Sequence, residues 1–457
     1  MSPSFLRPNQ GRFLLAWFLL ACSDAAPPPQ GIGTSGTGGS DLHSKGGASN
    51  TGGSGPVGAG GASGAGGGSI AGQAGVVGTG GHPSGQGGSS GTEGGGAAGS
   101  AGQSLITTFR VHYPTKPGQT ITIRGDAGGL SWSTGLPMEL AGSNLWIFST
   151  HMVLHDVEWK PMLNDTTWAR GPNYLAQAGS TVDVYPHFQV TSGVVGIYKE
   201  KFSSKYLAEK RDIWAYLPPT YLENTEARFP VLYMHDGQNL FDKALAFGGN
   251  EWKVDEAMDT AAESGEAREA VVIGVGNTSA RIYEYTPTPD PEYTPSGGGD
   301  NYLMLLMEEL KPLVDAELRT LPDPSNTALI GSSLGGLISS YGGVHHPEVF
   351  GLIGALSPSV WWDGKMLLGQ VASIQGKELR ALRVYVDSGD AGPSQDGLAN
   401  TKLLADQYRE VGYQDGVNFL YIVQAGATHS EVFWAQRFPT AAAFLLGPRP
   451  NSGSQPF

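Results

Sequence analysis

The segment Gly331-Ser332-Ser333-Leu334-Gly335-Gly336 sets a hydroxyl among glycines, directly after the apolar run Thr327 to Ile330 and ahead of a helix that begins near Leu337. A serine at such a strand-to-helix turn is held in a strained backbone conformation. Glycines must flank it, because side chains there would collide with the neighbouring strand and helix. The hydroxyl is then presented to substrate as a nucleophile. The pattern alone has little specificity, since Gly87-Gly88-Ser89-Ser90-Gly91 also matches it but lies in a Gly-rich stretch with no strand or helix around it. Context selects Ser333 over a simple turn serine.

A serine hydroxyl is a poor nucleophile at neutral pH and needs an adjacent base. His429 stands in Ala425-Gly426-Ala427-Thr428-His429, after the apolar run Phe419 to Val423 and before a helix containing Trp434. Of the ten histidines, His43 and His82 fall in the Gly-rich stretch, and His112, His151, His155 and His187 in a β-rich segment. His235, His345 and His346 are the competitors, and chain order favours His429. A carboxylate following the run Leu382 to Val386 would fix the imidazole tautomer and stabilise the imidazolium. Asp387 falls at the strand end, so Asp390 is the expected acid, with Asp396 in reserve.

The oxyanion formed on attack needs two donors. One is the backbone N–H of Leu334, just after the nucleophile. The other is expected from the loop His235-Asp236-Gly237-Gln238-Asn239, where Gly237 lets the chain turn so that the N–H of Gln238, or else of Asn239, points into the site. Trp361 and Trp362 are expected either to line the acyl pocket or to pack in the core.

These residues need a scaffold that carries them on the ends of parallel strands. From about 195 to 448, buried apolar runs alternate with amphipathic helices, the pattern of an α/β fold with a doubly wound sheet. Strands are expected at Ile213 to Leu217, Val231 to Met234, Ala270 to Val275, Thr327 to Ile330, Leu352 to Leu356, Leu382 to Val386 and Phe419 to Val423. The clearest helix runs from Asn301 to Leu318, with Leu303, Leu306, Met307, Leu310 and Val314 on one face.

Residues 105–190 read instead as a small all-β sandwich, with strands at Ile106 to Tyr113, Thr120 to Arg124, Leu145 to Phe148, Val157 to Met162 and Thr181 to Tyr185. Trp132, Trp146, Trp159, Trp168 and Tyr174 are dense for its size. Most are expected in its core, although an aromatic platform also holds sugar rings.

Ahead of this, 31 of the 69 glycines fall between Gly31 and Gln103, and residues 23–104 contain no Phe, Trp or Tyr. Such a stretch cannot offset its ordering entropy and reads as a disordered tether, spanning roughly 50 Å as a flexible coil. Residues 449–457 read as a frayed tail. Arg7 and Arg12 precede the apolar run Phe13 to Ala21, which is too short to span a bilayer and ends at Cys22, the one cysteine. This is an expected export signal. A lone cysteine excludes an internal disulfide framework, and no His or Cys pairs stand at zinc-ligand spacing, so no metal is expected. The formal net charge of -14 repels phosphate backbones and argues against nucleic acid as a partner.

Leu19-Leu20-Ala21-Cys22 resembles a bacterial lipobox, which implies lipidation of Cys22 and an exported protein held to the cell envelope by a lipid anchor only. Lys160-Pro161-Met162-Leu163-Asn164-Asp165, with Gly171-Pro172-Asn173-Tyr174, resembles immunoglobulin-like starch- and glycogen-binding modules over the β segment alone, implying a carbohydrate-binding role. His235 to Asp242, Gly331 to Gly336 and Gly426 to His429 resemble the putative esterase family, which includes esterase D, enterochelin esterase-like proteins and feruloyl esterase domains. The resemblance covers roughly Gly196 to Leu446. It implies an α/β-hydrolase fold, a Ser-His-acid site and no cofactor. Relatives often place the acid three residues after the glycine that follows its strand, and here that position is Gly392. The expected activity is serine carboxylic ester hydrolysis, on acyl groups of polysaccharide or on a siderophore ester. Acyl transfer to an alcohol, and a non-catalytic glycan-binding surface protein on a hydrolase scaffold, are the alternatives.

Overall fold

The computed structural model describes residues 105–448 apart from 154 and 379. The signal-like segment with Cys22, the Gly-rich stretch to residue 104 and residues 449–457 lie outside the described residues.

An eight-stranded sheet organises the larger part. In spatial order its strands are Val194–Phe202, Arg211–Leu217, Val271–Val275, Val231–His235, Thr327–Ser332, Leu352–Leu356, Arg383–Gly389 and Phe419–Gln424. Arg211–Leu217 runs antiparallel to both its neighbours, and every later pairing is parallel. This is the α/β-hydrolase sheet. Helices cover both faces, so the inner parallel strands are largely apolar: Val231–His235, Val271–Val275 and Leu352–Leu356 are buried at every position. Alternate side chains feed two cores. Val231, Tyr233, Leu329 and Ile353 pack under helices Leu334–His345 and Leu398–Glu410, while Leu232, Met234, Ala328 and Ile330 face Val254–Ser264 and Glu431–Leu446.

The first strand, Val194–Phe202, had no clear apolar signal because it lies on the sheet edge and carries Lys199, Glu200 and Lys201. The helix expected over Asn301 to Leu318 is a continuous run from Gly299 to Glu317 that widens into a π turn over Leu305–Leu310. Pro312 explains the widening, since its ring crowds the carbonyl four residues before it.

Residues 107–184 form two facing sheets. One orders Glu139–Leu140, Leu145–Thr150, Thr107–His112 and Thr181–Val184. The other orders Leu136–Pro137, Ile121–Gly125, Val157–Leu163 and Thr167–Trp168, with Tyr174–Ala176 also pairing to Val157–Leu163. Phe109, Trp146, Trp159 and Tyr174 are buried between them. Trp132 and Trp168 are not: they remain exposed, with ring centroids 6.0 Å apart. Glu223 joins this region to the larger sheet by accepting hydrogen bonds from the backbone N–H groups of Phe188, Gln189 and Val190 and from Tyr113 Oη, each at 2.8 Å.

Candidate active site

Ser333 follows the central strand Thr327–Ser332 and precedes the helix Leu334–His345, with φ 56° and ψ −122°. That conformation is strained for any residue with a Cβ and must be held by its surroundings. Here Ser333 N–H donates to Leu356 O at 3.0 Å, and its carbonyl accepts from Ser359 N–H and Leu337 N–H, each at 3.0 Å. A Cβ on Gly331 would stand 2.6 Å from His235 Cδ2 and 2.9 Å from the Gly335 carbonyl carbon. One on Gly336 would come within 3.1 Å of Pro358 Cα. The glycines are therefore fixed by space rather than by their own torsions. The Ser333 side chain is half-buried, and its Oγ meets Ser359 Oγ at 3.3 Å.

His429 lies on the loop after the last strand, its ring edge-on to Trp434 at 4.9 Å. Its Nδ1 is 2.7 Å from Asp396 Oδ1. The expected acid, Asp390, is not its partner. Asp390 is exposed, and its Oδ1 accepts from Gly426 N–H at 2.7 Å, so it braces the histidine loop from outside. The correction has a local cause. Gln395 and Asp396 both have φ 50°, and with Gly392 and Gly397 also left-handed the chain folds back so that Asp396 points inward. Asp396 is 1% exposed. Burial opposes its ionisation, yet its carboxyl stays below the usual range, because hydrogen bonds to His429 and Ser357 Oγ and from Gly389 N–H outweigh that cost.

The loop after Val231–His235 is fixed by ionic contacts. Asp236, at φ 54°, accepts from Arg281 Nε at 2.8 Å, Arg281 Nη2 at 2.9 Å and Asn277 Nδ2 at 2.6 Å. Burial again opposes the charge, and the guanidinium overcomes it, so the Asp236 carboxyl lies below its ordinary value. Gly237 packs on the neighbouring strand, where a Cβ would stand 2.5 Å from the Gly274 carbonyl carbon. Gln238 and Leu334 each sit in the first turn of a helical segment, where backbone N–H groups have no intrahelical acceptor.

His235 serves the scaffold. It is 2% exposed, and burial pushes its imidazole down to about 3, so it is neutral. Ser339 Oγ donates to Gly335 O at 2.8 Å and therefore accepts from His235 Nε2 at 3.0 Å, which leaves Nδ1 to accept from Tyr302 Oη at 2.8 Å. His345 and His346 lie at the far end of the helix, against Gln370 and Glu348. Trp362 corrects the pocket expectation. It is 1% exposed within the core, and its indole N–H donates to Thr288 O at 3.0 Å, so it cannot meet substrate. Trp361 is half-buried and packs on Tyr293 at 5.6 Å.

Several contributors carry little signal in the sequence. Asp236 stands in the segment His235 to Asp242 with nothing in its spacing to mark an ionic role, and Arg281 and Ser359 are marked by no spacing either. Arg437 could have been noticed as the one cation in the apolar helix Glu431–Leu446.

Residues 204–445 match the family model described as "Putative esterase". The uncharacterized protein YbbA of Bacillus subtilis is 28% identical over 255 residues, which cover 53% of this chain and 96% of that protein. The siderophore enterobactin esterase of Emericella nidulans is 36% identical over 90 residues, 18% of this chain and 29% of that one, so the match reaches less than a third of its length. Among solved structures, the enterobactin esterase FES from Shigella flexneri aligns with a TM-score of 0.44 at 15% identity, covering 74% of this chain and 92% of that chain. Residues 204–445 span more than half of the sequence, and the chain belongs to the putative esterase family, as an ester hydrolase with the α/β-hydrolase fold.

Proposed function

We propose that the chain is a serine carboxylic ester hydrolase working through an acyl-enzyme on Ser333. The observation that carries this reading is the Asp396–His429 pair, contributed by loops after the two last strands of the sheet whose central strand leads directly into Ser333. To react, the Ser333 hydroxyl turns from Ser359 towards His429 and gives its proton to Nε2 as Oγ bonds to the ester carbonyl carbon. The carbonyl oxygen becomes an oxyanion, stabilised by the N–H groups of Leu334 and Gln238. Collapse breaks the ester C–O bond, and the leaving alcohol takes the proton from His429. Water then attacks the acyl carbon, giving its proton to His429, and cleavage of the acyl–Oγ bond returns that proton to Ser333. Asp396 holds the tautomer that makes Nε2 the base.

The substrate proposed first is a siderophore ester, since curated relatives include the enterobactin esterase above and the ferri-bacillibactin esterase BesA of Bacillus subtilis. A second reading, acyl groups on polysaccharide, is favoured by the exposed Trp132–Trp168 pair and by a relative named endo-1,4-beta-xylanase/feruloyl esterase. Hydrolysis of p-nitrophenyl butyrate by the full chain, beside Ser333→Ala, tests the chemistry, with fluorophosphonate labelling as an independent probe of the serine. Turnover and labelling that survive Ser333→Ala would overturn it. Comparing ferric enterobactin with feruloylated xylan then separates the two substrates, and a Trp132→Ala/Trp168→Ala variant slowed only on xylan supports the second.

The lipobox-like residues ending at Cys22 support an exported, lipid-anchored enzyme. Radiolabelled palmitate incorporated by the wild type and lost in Cys22→Ser is the expected result, and labelling unchanged by that substitution would refute it.

A further inference from the structure

Behind Asp396 lies a second buried carboxylate that the reaction does not use. Asp387 is 0% exposed, Asp396 1%, Ser357 1% and Arg437 4%. Arg437 stands between the carboxylates, with Nε 3.0 Å from Asp387 Oδ2 and Nη2 3.4 Å from Asp396 Oδ2. Ser357 ties the same groups together. Its N–H donates to Asp387 Oδ1 at 3.0 Å and its hydroxyl to Asp396 Oδ2 at 2.6 Å, while its Oγ accepts from Arg437 Nη2 at 2.7 Å and Trp434 Nε1 at 3.0 Å. Tyr385 Oη adds a hydrogen bond to Asp387 Oδ2 at 2.9 Å. Two carboxylates thus share one guanidinium, out of reach of water.

We infer that Asp387 and Arg437 are positioning residues that act through Asp396, together setting how strongly it holds the imidazolium of His429. The inference rests on the proposed roles of Ser333, His429 and Asp396. Arg437 is closer to Asp387 than to Asp396, so Asp387 draws on the guanidinium and leaves Asp396 the freer anion. With His429 neutral and both acids ionised, the cluster has two negative charges and one positive. It reaches balance only when His429 takes a proton, the state formed in each half-reaction, and in a low-dielectric interior that imbalance is felt strongly. Burial opposes ionisation of Asp387 and lifts its carboxyl to about 6, so its charge is present at neutral pH and is lost in mild acid. The other charged groups around the site are Glu431, beside His429, and the Asp236–Arg281 pair, which both act on Glu431, with Asp390 outside on Gly426.

The test is the pH dependence of kcat/KM for p-nitrophenyl butyrate on the full chain, whose acid inflection reports the free-enzyme base, His429. Removing a neighbouring negative charge makes the imidazole harder to protonate, so Asp387→Asn should move that inflection down by roughly 0.5–1 pH unit. Arg437→Gln removes the guanidinium that favours the Asp387 charge, so Asp387 takes a proton, the two charges are lost together, and the inflection should stay near the wild type; adding Asp387→Asn to that variant should move it no further. Packing defects would lower activity at every pH without moving the inflection, and an Asp387→Asn inflection that stays in place, or one that moves as far down in the Arg437→Gln background, would overturn the inference. Tyr385→Phe removes only a hydroxyl and guards against variants that fail to fold. It weakens the support for the Asp387 anion, so a smaller downward shift is expected, and no shift there counts against the idea. If Ser333→Ala retains turnover, the underlying reading fails first; if it is inactive while the inflections stay fixed, only this inference fails.

Discussion

Asp396 Oδ1 reaches His429 Nδ1 at 2.7 Å across 33 positions of sequence, whereas Asp390, nearer its strand, supports the same loop from the surface through Gly426. Both carboxylates touch the histidine loop, and only one touches the imidazole. Their separate contacts make the assignment of the acid testable.

Asp396→Asn should lower kcat by about 10²- to 10⁴-fold, because an amide cannot stabilise the imidazolium and can favour the wrong tautomer. Asp390→Asn keeps an acceptor for Gly426 N–H and should stay within a few-fold of the wild type. Steady-state kinetics on p-nitrophenyl butyrate checks the pair, and equal losses would remove the distinction.

Gly331→Ala tests the space beneath the nucleophile. The added methyl would meet His235 Cδ2 at 2.6 Å and Gly335 backbone at 2.9 Å, and His235 is held by hydrogen bonds on both ring nitrogens. Overpacking of this kind costs about 1–3 kcal/mol. Urea unfolding should show a lower midpoint with an unchanged slope.

Arg281→Met leaves the buried Asp236 carboxylate with Asn277 as its remaining side-chain donor. The loop carrying Gln238 should shift, and kcat should fall by about 10²-fold with little change in KM, because an oxyanion donor acts chiefly in the transition state. A KM effect alone would assign Arg281 to substrate binding instead.

The buried His235 predicts a pH-dependent share of stability. Its folded value, about 3, lies below the ordinary 6.5, so the unfolded chain binds the proton first as pH falls. The contribution is complete above about pH 6.5 and disappears as pH drops towards 3. Thermal melts of the wild type and His235→Gln should therefore differ most near neutrality and converge in acid. A gap that widens in acid would refute the neutral assignment.

The sequence by itself determined the parts whose signals are local. Strand and helix periodicity between Arg211 and Leu446 was legible because the inner parallel strands are buried on both faces and read as apolar runs. Ser333 was legible because its torsions, and the space around it, demand glycines within a few residues. His429 followed from chain order on that sheet. Tertiary structure decided what depends on where a loop turns back. Five residues separate Asp390 from Asp396, and either could have reached the histidine until left-handed torsions at Gln395 and Asp396 aimed the second inward. Trp361 and Trp362 are alike in sequence, but packing buries the second and leaves the first half-exposed. Arg437, Asp387 and Ser357 meet behind Asp396 because three separate elements converge there, and charge pairing across such a distance leaves no periodic trace in the chain.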